Sequence, residues 1–242
     1  MDDAIYGNPF KDPDIRLSEL QNEVVCCRLC PRLVEWRERI AREKVRRFRH
    51  DTYWGRPVPA FGDPAAALVV IGLAPAAHGG NRTGRMFTGD GSGDWLFEAL
   101  HACGFANQPT SRCRGDGLEL KDCWVTAAVR CAPPANRPLP TELSLCSRFL
   151  SQELSLLAGA TVFVALGRIA FSALLKAWPR AHSGLPCATP DFGHNRLFEL
   201  APHEWLISSY HPSQQNTLTG RLTRTMFHEV FRKARVLIEA RP

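Results

Sequence analysis

Four short, mostly apolar runs punctuate the chain, and each leads into a segment rich in glycine, proline or polar residues. They are residues 67–71 (ALVVI), 122–129 (DCWVTAAV), 161–166 (TVFVAL) and 205–209 (WLISS). All are too short for helices and lack the strict alternation of a half-exposed strand, so they predict parallel strands buried on both faces. Helical periodicity fills the gaps near residues 94–103, 141–157 and 167–177, with a last helix over about 220–240. Strand alternating with helix implies an α/β fold: a three-layer α/β/α sandwich around a central, mostly parallel four-stranded sheet. In such sheets the ligand site lies at the carboxyl ends of the strands.

Upstream, residues 29–49 read as a further helix with Leu33, Trp36 and Ile40 on one face, while seven basic residues lie between Arg37 and Arg49. The apolar face is expected to pack inward, and the charge run reads first as a solvated face. Residues 1–20 are expected to form a loose N-terminal arm, residues 21–242 a single domain, and residues 108–117 a surface excursion. A chain of 242 residues suits one α/β domain with a full core.

Composition narrows the setting. No run approaches the roughly 20 apolar residues of a spanning helix, which argues against the bilayer. The opening MDDAIYGNPF is acidic and lacks the apolar stretch of a secretory signal, so a reducing cytoplasm is expected. Net charge is +6, and 25 of the 30 basic residues are arginine, whose planar fork suits phosphate oxygens. A GC-rich genome would produce the same arginine bias, so the placement of the charge has to decide.

Nine cysteines in such a chain are not a disulfide framework. Cys27 and Cys30 form a C-x-x-C pair before Pro31, and Cys131 and Cys146 are the proposed partners, giving four thiolates that tie remote parts of the chain together. Spacing alone allows a zinc ion or a [4Fe–4S] cluster equally. A redox dithiol is disfavoured, because no strand precedes the pair. Cys26, Cys103, Cys113, Cys123 and Cys187 read as ordinary packed or surface residues.

Three segments at predicted strand ends carry the chemistry: GLAPAAHGGNRTGRMFTGDGSG from Gly72 to Gly93, VRCAPPANRP from Val129 to Pro138, and SYHPSQQNTLTGRLTR from Ser209 to Arg224. The first has six glycines beyond Gly72 and no periodicity, as in a loop wrapped closely around something. The third turns through His-Pro-Ser into the final helix. In this order, with the four cysteines, they resemble the signature motifs of the uracil-DNA glycosylase superfamily, specifically family 5, the B-type enzymes of bacteria and archaea. The resemblance covers nearly the whole chain: GLAPA stands where family 4 has GEAPG, and HPS matches a turn shared across the superfamily.

The resemblance implies a DNA glycosylase acting in base excision repair, with a structural [4Fe–4S] cluster on Cys27, Cys30, Cys131 and Cys146, and it favours iron–sulfur over the zinc alternative. It implies a cytoplasmic monomer, nucleoid-associated when bound, acting on double-stranded DNA, with single strands as an alternative. Cleaving a base from its sugar creates an anionic leaving base and a cationic sugar, so the site must stabilise charge on the base and supply a water. His211 is expected to donate a hydrogen bond to the base carbonyl; its structural alternative is capping the strand-to-helix turn. Asn136 and Asp90 match positions with catalytic roles in family 5, Asn136 orienting the water and Asp90 assisting. Asp90 as a helix N-cap and Asn136 as a turn residue are the plain alternatives.

Gly72, Leu73 and Ala74 are expected to line the base pocket, and Leu73 and Ala74 stand where families 1 and 4 carry acids. Phe87 is expected to stack on the flipped base, or else to be a core residue. Ala127 replaces the asparagine with which family 4 reads the uracil edge. Losing that reader should relax specificity toward deaminated purines such as hypoxanthine and xanthine. Ser213 could hold a phosphate, and Gln214, Gln215, Asn216 and Leu218 would enter the duplex while Arg221 and Arg224 meet phosphates. Those residues could equally form a polar first helical turn.

No lysine lies in the three motifs to form a Schiff base, so hydrolysis without a covalent intermediate is expected. Two other readings remain. One is a branch of the superfamily that crosslinks to uracil-DNA through a loop histidine, for which His78 and His101 are the nearest residues. The other is a non-enzymatic DNA-binding module built on the four-cysteine site.

Overall fold

The computed structural model describes residues 13–181 and 191–240, and in it the four apolar runs become the centre of a six-stranded sheet. The strands are β1 (Phe61–Gly62), β2 (Leu68–Gly72), β3 (Cys123–Ala127), β4 (Val162–Leu166), β5 (Arg196–Ala201) and β6 (Glu204–Ser209), in the order β1-β3-β2-β4-β6-β5. The inner four are mutually parallel, as expected, whereas β1 and β5 pair antiparallel at the two edges. The four-stranded expectation is thus corrected to a six-stranded mixed sheet. The added strands were hidden by their character: β1 is two residues long, and β5 lies at an edge with Arg196 and Leu197 exposed, so neither shows an apolar run.

Both faces are covered. Helices α4 (Gly91–Ala102) and α8 (Arg224–Glu239) bury Phe97, Leu100, Phe227 and Phe231 against Leu68, Val70 and Val164. On the other face, α5 (Pro140–Leu156) and α6 (Arg168–Ala181) pack Leu150, Leu154 and Leu174 against Val69, Ile71 and Phe163. Alternate residues of one strand serve opposite cores, so every position of β2, β3 and β4 must be buried.

The expected loose arm is helical from Pro13: α1 (Pro13–Cys26) buries Leu17, Leu20 and Val24. These recur at helical spacing and pack beside α5, so the segment is part of the core rather than a tail. The next helix, α2 (Pro31–Glu43), is shorter than expected, starting at Pro31 and closing at Lys44. Its inward face carries Leu33, Val34 and Arg37, not Trp36 and Ile40, which are only half-buried. One member of the charge run is therefore internal. A short helix α3 (Gly80–Thr83) lies within the first motif, the expected last helix forms as α8 from Arg224, and a separate short helix α7 (Gln214–Leu218) precedes it, parted by Gly220, whose φ is 71°. Thr223 Oγ1 caps α8 by accepting from the Met226 amide at 3.2 Å.

Among the described residues no helix is long and apolar enough to cross a membrane. Cys187 and residues 1–12 of the expected arm lie outside the described residues. Because the inner strands are parallel, Gly72, Ala127, Leu166 and Ser209 end at one edge, and all three motifs issue from it.

Candidate active site

Phe87 joins the first and third motifs. Its φ is 51°, left-handed for a side chain that disfavours it, and glycines on two sides hold it there. A Cβ at position 72 would come within 2.6 Å of Phe87 Cζ, and one at position 93 within 1.8 Å of its carbonyl oxygen. Gly72 thus makes room for the ring and Gly93 for the backbone of the same residue. Phe87 is 9% exposed and packs in the larger core.

His211, just beyond β6, stacks on this ring with centroids 6.3 Å apart and planes inclined by 27°. Gly167, after β4, makes room for it: a Cβ there would lie 3.3 Å from His211 Cβ, and its φ is 95°. Sequence reasoning passed over Gly167, although a glycine directly after a buried strand is the available signal. Burial pulls the imidazole down to about 4, so at neutral pH the ring is uncharged and keeps one N–H to donate. Asn216 donates its amide to the His211 carbonyl at 2.8 Å. That nitrogen, expected to face DNA, secures the turn instead.

Asp90 is the N-cap of α4, its carboxylate accepting from the Gly93 amide at 3.0 Å. A Cβ on Gly79 would meet Asp90 Oδ2 at 2.2 Å. Burial pushes this carboxyl above its ordinary range, against the pull of the Gly93 and Ser92 amides. The structural alternative is therefore realised, yet the carboxyl also lines an open cleft with Arg47, Arg82 and Arg112 and is not spent on an ion pair there. Ser92 Oγ donates to the Pro212 carbonyl at 3.0 Å, tying the Asp90 turn to the His-Pro-Ser turn.

Gly72 and Leu73 accept from the amides of Ala128 and Val129 at 2.9 and 3.0 Å, which zips the second motif to the first beyond the strands. Ala127 is buried opposite Gly72, and Ala74 leans on the small core around the cysteines. Asn136 stands apart from this assembly. It is exposed, in a left-handed turn with Ala135 (φ 55° and 52°), and among the described residues hydrogen-bonds neither Asp90 nor His211. The structure brings Gly72, Phe87 and His211 into contact and ties the Asp90 turn to them through the Ser92–Pro212 hydrogen bond; Asn136 is left on the outer turn.

Beyond His211, Ser213 caps α7 without using its side chain, Gln214 and Gln215 are exposed, and Leu218 is 83% exposed, an extreme for an apolar residue. Arg221 lies over the Tyr210 ring at 4.5 Å. Arg224, expected at a phosphate, is instead paired with Glu98 and lies over Trp95. The excursion at 108–117 also proves to be a brace. Arg85 reaches Asp116 at 2.7 Å, Ser111 Oγ at 2.7 Å and Thr88 Oγ1 at 3.1 Å, and the Gly89 amide donates to the Ser111 carbonyl at 3.1 Å. These bonds fix the residues between Phe87 and Asp90. Asp116, held by Arg85 and three backbone amides, has its carboxyl lowered to about 2 despite partial burial. Its position between two glycines in RGDG is a turn signal, but its partner lies 31 residues away.

The four cysteines converge from three directions. Cys27 and Cys30 flank the α1–α2 turn, Cys131 follows β3, and Cys146 lies on α5; together they line one small cavity with Leu33, Val34 and Phe149. Burial drives the Cys131 thiol up to about 11 and Cys146 to about 12. Arg37 Nη1 donates to Cys131 Sγ at 2.8 Å and the Arg130 amide to Cys146 Sγ at 3.3 Å.

Comparison with known proteins gives the family. Residues 59–235 match the model of the family described as the uracil DNA glycosylase superfamily. The chain belongs to the uracil-DNA glycosylase superfamily. It is 52% identical over 214 residues to a type-5 uracil-DNA glycosylase of Thermus thermophilus, covering 88% of this chain and 94% of the relative. It is 49% identical over 222 residues to a type-5 uracil-DNA glycosylase of Mycobacterium bovis, covering 91% and 81%. A type-4 uracil-DNA glycosylase of Sulfurisphaera tokodaii is 25% identical over 223 residues, covering 91% and 84%. Within the superfamily fold, the first motif has no side-chain acid at Leu73 or Ala74 and carries its acid at Asp90, and the absence of an amide at Ala127 leaves the β3 end apolar.

Proposed function

We propose that this protein is a monofunctional DNA glycosylase of the type-5 kind, which hydrolyses the N-glycosidic bond of uracil in DNA and also of deaminated purines, in base excision repair. The Phe87–His211 stack over Gly72 carries the reading. An aromatic face suited to a flipped base lies beside a neutral hydrogen-bond donor. A neutral imidazole adds no charge to the ground state and strengthens its hydrogen bond as negative charge grows on the base oxygen. Asp90, beside them, polarises the attacking water and balances the cationic sugar. Asn136 would join from the outer turn when DNA is bound. With an apolar Ala127 in place of a fixed pyrimidine reader, hypoxanthine and xanthine are accepted along with uracil.

Against the crosslinking alternative, His78 is held by the Tyr53 hydroxyl at 3.0 Å, and His101 is exposed on α4 away from the three motifs. Leu218 would fill the stack vacated by the flipped base, with Gln214, Gln215, Ser213 and Arg221 on the strand around it. The four cysteines suit a metal centre by chemistry: they line one cavity, and the two buried ones, Cys131 and Cys146, receive N–H donors from Arg37 and Arg130, which suits thiolates better than thiols. A [4Fe–4S] cluster, with zinc as the alternative, would act there as a crosslink between the α1–α2 turn, the second motif and α5. The test is a panel of duplexes bearing one uracil, hypoxanthine or xanthine, incubated with the protein and then treated with hot alkali. Strand cleavage at uracil and at one purine lesion at least is expected. Cleavage at uracil alone would contradict the broad range, and no cleavage would contradict the enzyme.

A further inference from the structure

We propose that Arg37 is the counter-ion and sulfur hydrogen-bond donor of an anionic four-thiolate metal centre, an inference that rests on the metal reading above. Arg37 is 2% exposed, and a guanidinium stays charged wherever it is placed. A buried charge is strongly unfavourable unless an opposite charge and hydrogen bonds accompany it. The chain supplies Arg37 with little of either. Its nearest carboxylate, Glu38, is 4.0 Å away and lies closer to Arg28, at 2.5 Å. Its Nε is buried without a hydrogen-bond partner.

What it does face is the cage: Nη1 donates to Cys131 Sγ at 2.8 Å and Nη2 to the Cys27 carbonyl at 3.2 Å. The other buried arginine of the cavity, Arg130, shows the contrast. Its guanidinium is balanced by Glu153 at 2.5 Å, a carboxylate that also accepts from Thr126 and Gln21. Among the described residues Arg37 is thus a cation with only a distant, shared carboxylate to balance it, and four metal-bound thiolates carry net negative charge at that position. Its carbonyl accepts from Asn81, a fully buried residue of the first motif, at 3.2 Å. One residue therefore joins the cage to the loop that carries Phe87 and Asp90.

The test compares wild type with Arg37→Met and Arg37→Lys, all purified without oxygen. Iron, zinc and acid-labile sulfide per chain are measured, then the rate at which a chelator strips the metal, and the midpoint potential where iron is present. Loss of one charged hydrogen bond to sulfur should speed stripping of the Arg37→Met protein roughly tenfold or more, with folding intact by circular dichroism. Its midpoint potential should move to a more negative value, because the reduced centre loses a compensating positive charge. Arg37→Lys keeps the charge without the fork and should fall between the two. A folded Arg37→Met protein that holds its metal like wild type would overturn the inference and leave the metal reading intact. If that variant does not fold, Arg37→Lys decides: faster stripping supports the role and wild-type stripping overturns it. Wild-type protein without iron or zinc would overturn both.

Discussion

Gly72 and Phe87 are in such close contact that a single methyl group on residue 72 would lie 2.6 Å from the ring. A Gly72→Ala change must therefore shift the ring or the strand end, because the crowding atoms belong to a side chain already locked by a left-handed backbone. The substitution should cost about 1–3 kcal/mol of stability, as overpacking does. Excision should fall more than tenfold, the same direction as Phe87→Ala, for which the lost stacking is worth about 1–3 kcal/mol. Single-turnover excision and thermal melts check both. Wild-type turnover in either variant would remove Phe87 from the site.

His211 gives a pH dependence with a definite sign. Its folded value of about 4 lies below the ordinary 6.5, so between these limits the unfolded chain binds a proton that the folded one refuses. Stability is fully present above pH 6.5 and is lost as pH falls toward 4, by roughly 3 kcal/mol in all. A His211→Gln protein should lack this component, so its denaturant midpoints should fall less over the same window. Turnover of the wild type should show no inflection near the ordinary histidine value. Its acid limb should instead follow Asp90, above the usual carboxylate range, and disappear in Asp90→Asn.

The Arg85–Asp116 pair predicts a different loss. Asp116 titrates near 2 rather than 3.8, so its contribution is present above the ordinary value and is lost as pH drops toward 2. The pair lies near the surface, and solvent screening trims its worth to about 1 kcal/mol. Asp116→Asn should lower the unfolding free energy at neutral pH by that much, read from denaturant melts. Because the brace fixes the residues between Phe87 and Asp90, it should also reduce kcat severalfold while DNA affinity holds. An unchanged kcat would make the brace purely structural.

Leu218, at 83% exposure, is predicted to act only when there is a stack to fill. Leu218→Ala should lower excision of uracil from duplex DNA by roughly tenfold, in line with the few kcal/mol of unstacking, and leave excision from single strands nearly unchanged. Equal losses on both substrates would assign Leu218 elsewhere.

The legibility of the chain followed the range of the forces involved. Residues 67–71 and 161–166 announce buried strands because both faces of the sheet are covered, and such burial writes itself as continuous apolar sequence. Residues 196–201 do not, because at an exposed edge Arg196 and Glu199 break the apolar run. Phe87, Asp90 and His211 stood out through local motifs whose glycines and prolines shape the chain nearby. Arg37 looked like part of a solvated charge run, since nothing next to it reports a sulfur 94 residues away. Arg85 and Asp116 were hidden likewise, and Asn136 shows the converse, a motif residue that the fold leaves on an outer turn.

The most direct test of the site is release of free uracil under single-turnover conditions, read by chromatography from a duplex carrying one uracil. The wild type should release one equivalent and leave no DNA adduct that survives denaturation. Asp90→Asn and His211→Ala should each slow the release by roughly a hundredfold, the scale of losing one group that acts on transition-state charge, with duplex affinity nearly unchanged. Wild-type rates in both variants, or a denaturation-resistant adduct in place of free uracil, would contradict the account.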